Sequence, residues 1–509
     1  MSSAGPQAAP TSDDARAPAL PRNGWVGQLI ELRWWLLSAL VYFGAMIHLE
    51  GIDPARPEKV RLVKHALVSA VGAFALPLLG WLRRRYTTDK LLQLALWVFA
   101  SLFMISMSRG FVVSHIDDAG AMSVLRKLVK LALPLTLIAW PLSHWGARLP
   151  KALRLAPWLC AIALLLFARQ QVLAVSPDPR IDVFTLAREA STVFWRGENP
   201  YAADYSNYYV GTKLDLGYSP GYNYFPLVLL SNVLSHKLTG DVRAAYVLAE
   251  ILCAIFIWRF ARALGWSLET ACALTLLWCT NSLSFQVVEK WNDSLPLAAT
   301  FATVAFLADR RWIAAGIAFG LGACTKQYAP LAFFPIALWL WRIREPGSAK
   351  RFIVSAACSA GVLFLPFLLN HGDWLIARTL LHFSRTPFRD DSISFLNLSR
   401  IFLGFGEKSF IIRVAPFAGL LGGLAVAAAA ILRMRPAGAV VLDARDWHAR
   451  VHALVLSLLC VWAAFFHTIK QSFLNYHYFY FSFGVLLLAS IVERSDEADG
   501  ARPPAAAAD

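Results

Sequence analysis

The sequence predicts an all-α, polytopic membrane protein, and three observations carry that prediction. Apolar residues make up 57% of the 509-residue chain and aromatics 13%, and the mean hydropathy is +0.51, all above the usage of soluble domains. Apolar runs recur at about the 17–22 residues that cross roughly 30 Å of hydrocarbon. Basic loops alternate with less basic ones between those runs, as the positive-inside rule requires of a multi-pass chain.

Taken in order, the runs fall at 33–49, 65–82, 91–107, 128–145, 155–173, 243–261, 268–286, 294–308, 352–369, 411–431, 451–468 and 474–492. A longer stretch, 312–342, could hold two spans and is interrupted at Thr325-Lys326-Gln327-Tyr328-Ala329-Pro330. Proline and a charge argue against one continuous lipid-facing helix there. Counting the break as a turn gives about fourteen transmembrane helices. Residues 1–24 are rich in Ala, Pro and Ser and hold no apolar core of signal-peptide length, so they are expected to be a disordered cytoplasmic tail; 494–509 is expected to be a second one. The seven cysteines all lie in apolar runs without paired metal-ligand spacing and read as small buried hydrophobes.

Orientation follows from the basic loops. Arg83-Arg84-Arg85, Arg148 with Lys151 and Arg154, Arg259 with Arg262, Arg310-Arg311, Arg342 through Arg351, and Arg433 with Arg435 mark cytoplasmic ends. Loops 50–64 and 109–127 carry more basic residues than the rule favours. The long loops 174–242 and 370–410 then face outward. Within the first, 222–238 is too short to span and is expected to be an amphipathic juxtamembrane helix in the outer interface. The formal charge of +15 is distributed over anchoring loops, and no soluble basic domain is present for a nucleic acid to meet.

The polar motifs concentrate on the outward side. Asp182-Val183-Phe184 follows a span; Gly197-Glu198-Asn199-Pro200-Tyr201 and Tyr222-Asn223-Tyr224-Phe225-Pro226 follow it; Asn292-Asp293-Ser294 opens a later span. A glycine-rich helix from Gly316 runs into Lys326-Gln327-Tyr328-Ala329-Pro330, and Tyr476-His477-Tyr478-Phe479-Tyr480 comes late. This order resembles the GT-C superfamily of integral membrane glycosyltransferases, most closely family 87 and the GPI-anchor mannosyltransferases. The resemblance covers roughly 155–345 and more loosely 451–492, so 25–150 forms N-terminal helices outside the matched core and 151–493 the GT-C-like catalytic core. Two departures stand out: Leu227 replaces the usual second proline, and the insert 202–221 is long and rich in Tyr, Asn and Gly.

The resemblance implies a glycosyltransferase that takes a sugar, mannose in the closest relatives, from a polyprenyl-phosphate donor. The acceptor would be a lipid-linked or envelope glycan at the outer face of the cytoplasmic membrane. Such transfer needs a general base for the acceptor hydroxyl and positive charge on the departing phosphate. Asp182 is the expected base, ranked above Asp178, Glu189, Glu198, Asp204 and Asp215 of the same loop. Lys326 and Gln327 are expected at the donor phosphate, with Arg385, Lys470 and His477 as further ligands. Asn199, Tyr201, Tyr224, Asn292, Asp293 and His467 are expected to hold the sugar or the acceptor. Plainer roles stand beside each: a helix cap for Asp182 and Asp293, a snorkelling side chain for Lys326, headgroup contact for the arginines of 370–410, and an interfacial belt for the late tyrosines.

No metal-ligand cluster and no glycine-rich nucleotide loop is seen, so no cofactor is expected, although a lone carboxylate with water leaves room for a weakly held divalent ion. A secondary transporter or lipid flippase is the alternative from another class. Such proteins usually show internal repeats and broken helices near the midplane, and no repeat is detected here.

Overall fold

The computed structural model describes residues 88–491 except 111–112, 147, 208–209, 211–220, 382–393, 395, 397–408, 435–443 and 471. The expected spans 33–49 and 65–82, both tails and Arg385 lie outside the described residues. The fifteen helices named below are α1 (Thr88–Arg109), α2 (Ala119–Trp145), α3 (Lys151–Val175), α4 (Asp182–Trp195) and α5 (Pro226–Thr239). They continue with α6 (Ala244–Ala263), α7 (Leu268–Cys279), α8 (Leu283–Lys290), α9 (Ser294–Ala308) and α10 (Trp312–Ala323). After a 3-10 turn at Ala329–Ala332 come α11 (Phe333–Ile343), α12 (Ser348–Thr379), α13 (Phe410–Leu432), α14 (Ala444–Thr468) and α15 (Leu474–Ile491).

Local chemistry sets several of these boundaries. Asp118 accepts the Ala121 N–H at 3.0 Å and starts α2, and Ser267 accepts the Thr270 N–H at 3.1 Å and starts α7. Pro226 opens α5, where its missing N–H has no cost. Gly240, with φ of 80°, closes α5 in the left-handed conformation that glycine adopts freely.

Among the described residues six helices are long and apolar enough to cross a membrane: α1, α3, α6, α12, α13 and α14. The pair α7–α8, bent by 62°, makes a seventh if it is one broken span. The expected count of about fourteen is therefore not reached among these residues. The expected span 294–308 is a helix of 15 residues, and 268–286 is not continuous. Its break lies at Thr280-Asn281-Ser282. Asn281 accepts the Leu283 N–H on its side chain at 3.1 Å and the Ser284 hydroxyl on its carbonyl at 2.6 Å. These local bonds compete with the helix ladder.

The segment 174–242, expected to face outward, is likewise not an open loop. It holds α4, which the apolar pattern did not announce, and α5, which coincides closely with the expected juxtamembrane helix 222–238. The start of 370–410 continues α12 as far as Thr379 beyond a kink at His371.

Helix α3 packs on α2, α7 and α6; α9 lies between α6 and α10; α14 lies against α13 and α15; and α4 rests on α5, which rests on α6. The glycine-rich α10 runs along α12. A Cβ at Gly316 would strike the Ser355 hydroxyl and the Phe352 carbonyl, and one at Gly320 the Ser359 hydroxyl and the Ala356 carbonyl. Small residues one turn apart thus let the two backbones touch, the usual device where lipid offers no hydrophobic drive.

The bundle has two chemically different ends. At one, Arg259 pairs with Asp309, the Arg310 guanidinium stacks 4.2 Å from the Trp447 ring, and Arg342 donates to the carbonyls of Leu432 and Met434. At the other, the C-terminal end of α3, helices α4 and α5, the break at 324–330 and the starts of α6, α9 and α15 converge. The motif residues gather at this second end.

Candidate active site

The junction from α3 into α4 is clamped by one arginine. Buried Arg243 donates to the Ser176 carbonyl at 2.7 Å and to Asp241 at 2.6 Å, and its guanidinium lies 4.9 Å from the Phe184 ring. That contact fixes the first turn of α4, where Asp182 stands half-buried with one carboxylate oxygen accepting the Val183 N–H at 2.8 Å.

The segment 199–227 is folded onto the break after α10. Asn199 accepts the Tyr201 N–H at 2.9 Å, and the buried Tyr201 hydroxyl donates to the Tyr224 carbonyl at 3.1 Å. Both residues therefore shape the loop itself. The Phe225 N–H donates to the Thr325 carbonyl at 3.2 Å and the Leu227 N–H to the Cys324 carbonyl at 2.9 Å. A second proline at 227 would have no hydrogen to give, so the departure at Leu227 corresponds to a used N–H. The Gln327 amide donates to the carbonyls of Asn223, at 2.8 Å, and Thr379, at 3.3 Å, and so ties the loop to the end of α12.

Asp293 is the centre of the polar cluster. It is fully buried and accepts from the Lys326 ammonium at 2.8 Å, the Tyr328 hydroxyl at 2.6 Å and the Asn475 amide at 2.6 Å. A buried carboxylate is tolerable only when paired and hydrogen-bonded in this way. The Lys326 ammonium also lies 5.4 Å from the ring of Tyr224 and 5.5 Å from that of Tyr476. Its immediate partner is thus Asp293, while Ile181 and Val183, which flank Asp182, pack in the same buried cluster as Tyr224. Burial, then the charges of Asp182, Tyr476 and Asp293, hold the Tyr224 hydroxyl well above its ordinary value. Neighbouring Asn292 is buried, with neither amide atom hydrogen-bonded among the described residues.

A second group lies at the α14–α15 junction. The Tyr480 hydroxyl is 2.9 Å from His467 Nε2 and 2.9 Å from His477 Nδ1, and the Ser472 hydroxyl is 3.4 Å from His477 Nε2. The two histidines expected near the donor or acceptor therefore meet on one tyrosine. Lys470 follows α14 in the same turn. Arg378, one of the 370–410 arginines for which headgroup contact was the plainer role, pairs with Asp204 at 2.8 Å.

Three features escaped the sequence reading. Tyr328 and Asn475 complete the Asp293 cluster. Glu289, fully buried, takes the N–H groups of Ser114 at 2.8 Å and His115 at 2.7 Å, and so anchors the turn between α1 and α2 to the α8–α9 corner. Inside the spans, Arg169 of α3 faces Glu250 of α6 at 3.1 Å, both fully buried. The signal for this last pair was present, because Arg169 is the only charge in its apolar run and Glu250 the only acid in its own, and a charge so placed calls for a partner. Among the described residues no group of three or more His, Cys, Asp or Glu could hold a metal ion.

Residues 182–343 match the model of the MptA_B family, described as alpha-(1->6)-mannopyranosyltransferase, N-terminal domain. No curated protein and no solved structure matches the chain. The matched segment opens on Asp182 and contains Tyr224, Asp293, Lys326 and Tyr328, so the cluster described above lies largely within it. Residues 182–343 of this multi-pass helical chain are accordingly similar to the N-terminal domain of that mannosyltransferase family, a likeness that supports a mannosyltransferase of the GT-C type.

Proposed function

We propose that the protein transfers mannose from a polyprenyl-phosphate-linked donor to a lipid-linked or envelope glycan acceptor at the outer face of the cytoplasmic membrane, with Asp182 as general base. The observation that carries this reading is the contrast in burial between two carboxylates of the matched segment, Asp293 and Asp182. Asp293 is sealed and accepts from three donors, whereas Asp182 is only partly buried at the start of the matched segment. A base must reach the acceptor proton within hydrogen-bond distance, and the partly buried carboxylate is the better placed.

In this reading Lys326, held by Asp293, supplies positive charge toward the departing phosphate, where stabilisation counts most in the transition state. Gln327, Lys470, His477 and Arg385 are proposed as its further phosphate contacts. The uncommitted amide of Asn292 keeps a donor and an acceptor for a sugar hydroxyl. Tyr224 and His467 would border the sugar or the acceptor, and Asn199 and Tyr201 act by shaping the loop over it. Retention of basic loops at the opposite end supports placing this end on the outer side.

The test is reconstitution of the purified chain in vesicles with labelled polyprenyl-phosphate mannose and, separately, a nucleotide-linked mannose. Release of polyprenyl phosphate with the first donor alone is expected. Turnover with the nucleotide-linked donor alone would overturn the donor assignment.

A further inference from the structure

Six residues before the end of α3, and six after the start of α6, Arg169 and Glu250 meet inside the spans. At 1.5 Å per residue this level is ~9 Å below the helix ends that carry the candidate site. Charges at such depth are costly and mark functional positions by default. A buried ion pair is also a weak source of stability, since an apolar pair of similar volume commonly serves as well. The question is what this pair does that an apolar contact could not.

Its hydrogen bonds answer in one direction. Glu250 Oε1 accepts the Ser294 hydroxyl at 2.5 Å and the Tyr478 hydroxyl at 2.6 Å. Ser294 is the residue after Asp293. Tyr478 lies one turn along α15 from Asn475, whose amide donates to Asp293. Both arms that place the Asp293 carboxylate, its own backbone and its Asn475 partner, therefore end on one oxygen of Glu250.

Arg169 holds the third side. It donates to the Cys279 carbonyl at 3.0 Å, at the last residue of α7, and to the Leu165 carbonyl at 3.2 Å. Its guanidinium lies 5.1 Å from the Trp278 ring before the bend and 5.7 Å from the Phe285 ring after it. A cation at the carboxyl end of a broken helix satisfies carbonyls that hydrocarbon would leave bare. The bend it braces aims α8 at Trp291-Asn292-Asp293.

We propose that Arg169 and Glu250 are a pair of positioning residues that set the place of the Asp293–Lys326 cluster from beneath, tying the α7–α8 bend, the start of α9 and the start of α15 to one charge pair. Neither touches substrate. The kinetic part of this proposal rests on the mannosyl-transfer reading above, and the structural part does not.

The test uses the full chain in lipid nanodiscs and the variants R169M/E250M, which replaces the pair by apolar side chains, and Y478F, which keeps the pair and removes one arm. Hydrogen exchange at 289–296 and 474–478, thermal stability, and the kcat and KM for labelled polyprenyl-phosphate mannose are measured together. Expected for R169M/E250M is faster exchange confined to those two segments, a melting temperature close to that of the unmodified protein, donor KM within about twofold, and kcat lower by about ten- to a hundredfold, the scale of a small misplacement. Y478F should show the same split in smaller degree. A purely structural pair would move the melting temperature and leave the kcat of the folded fraction intact, and that result overturns the proposal. So does unchanged exchange in both segments, whatever the reaction. Absence of mannosyl transfer in the unmodified protein would instead count against the donor reading, while the exchange data still decide the positioning role.

Discussion

Lys326→Met removes the cation from a carboxylate that has no access to water. Asp293 is fully buried and Lys326 is 5% exposed, with 2.8 Å between ammonium and carboxylate. Breaking a buried pair from one side costs about 3–5 kcal/mol, because the remaining charge stays uncompensated. Tyr328 and Asn475 still donate to Asp293 in the variant, so the lower end, about 3 kcal/mol, is expected. At roughly 2 °C per kcal/mol for a large chain, the melting temperature should fall by roughly 6 °C. The double variant D293N/K326M leaves no lone charge, and should regain most of that loss. It should not regain turnover, because the charge offered to the phosphate is still missing. Thermal unfolding followed by tryptophan fluorescence, with donor binding measured beside it, decides the matter. If K326M melts with the unmodified protein, or if D293N/K326M is fully active, the account of this cluster is wrong.

Three further outcomes follow from the same contacts. Gly316→Val should destabilise the α10–α12 contact by about 1–3 kcal/mol, as overpacking does, seen as a lower melting temperature, since its side chain would meet Ser355 and the Phe352 carbonyl. Tyr201→Phe should cost about 1–3 kcal/mol by leaving the Tyr224 carbonyl without its donor, and should raise exchange of the 222–227 amides before it changes the distant helices. Burial and the Asp182 charge keep the Tyr224 hydroxyl protonated through its ordinary titration range, so the ratio of kcat/KM for Y224F and unmodified protein should be the same at pH 7 and pH 10; a ratio that changes across that interval would show the hydroxyl titrating there.

The fold was legible where composition acts over many residues. Expected runs at 155–173 and 411–431 fall inside α3 and α13, and 243–261 falls inside α6 but for its first residue, because a continuous apolar stretch leaves few alternatives to a helix in lipid. The break at 325–330 was legible from Lys326 and Pro330, and it appears as a turn followed by the Ala329–Ala332 3-10 helix. The break at 280–282 was not, since it contains neither Gly nor Pro and depends on the local bonding of Asn281. Helix α4 was missed because its apolar face, from Val183 to Ala190, was read among loop residues. In the site, residue types were readable and partners were not. Asp293 and Lys326 were both singled out from the sequence, yet their pairing depends on how α8, α9 and the 324–330 turn meet. Asn475, from a late helix, completes the cluster only through tertiary contact. Arg169 and Glu250 show the same limit, as Arg169 is the only charge of α3 beyond its first turn and Glu250 the only acid of α6, and each acquires meaning only opposite the other.

The central claim, that the partly buried Asp182 and not the sealed Asp293 takes the acceptor proton, is tested most directly by single-turnover transfer from labelled polyprenyl-phosphate mannose in D182N. The carboxamide keeps the size and removes the base, so the account predicts a rate lower by about a hundredfold or more with donor affinity retained. A D182N protein that transfers at the unmodified rate, while D293N is well folded and inactive, would contradict it.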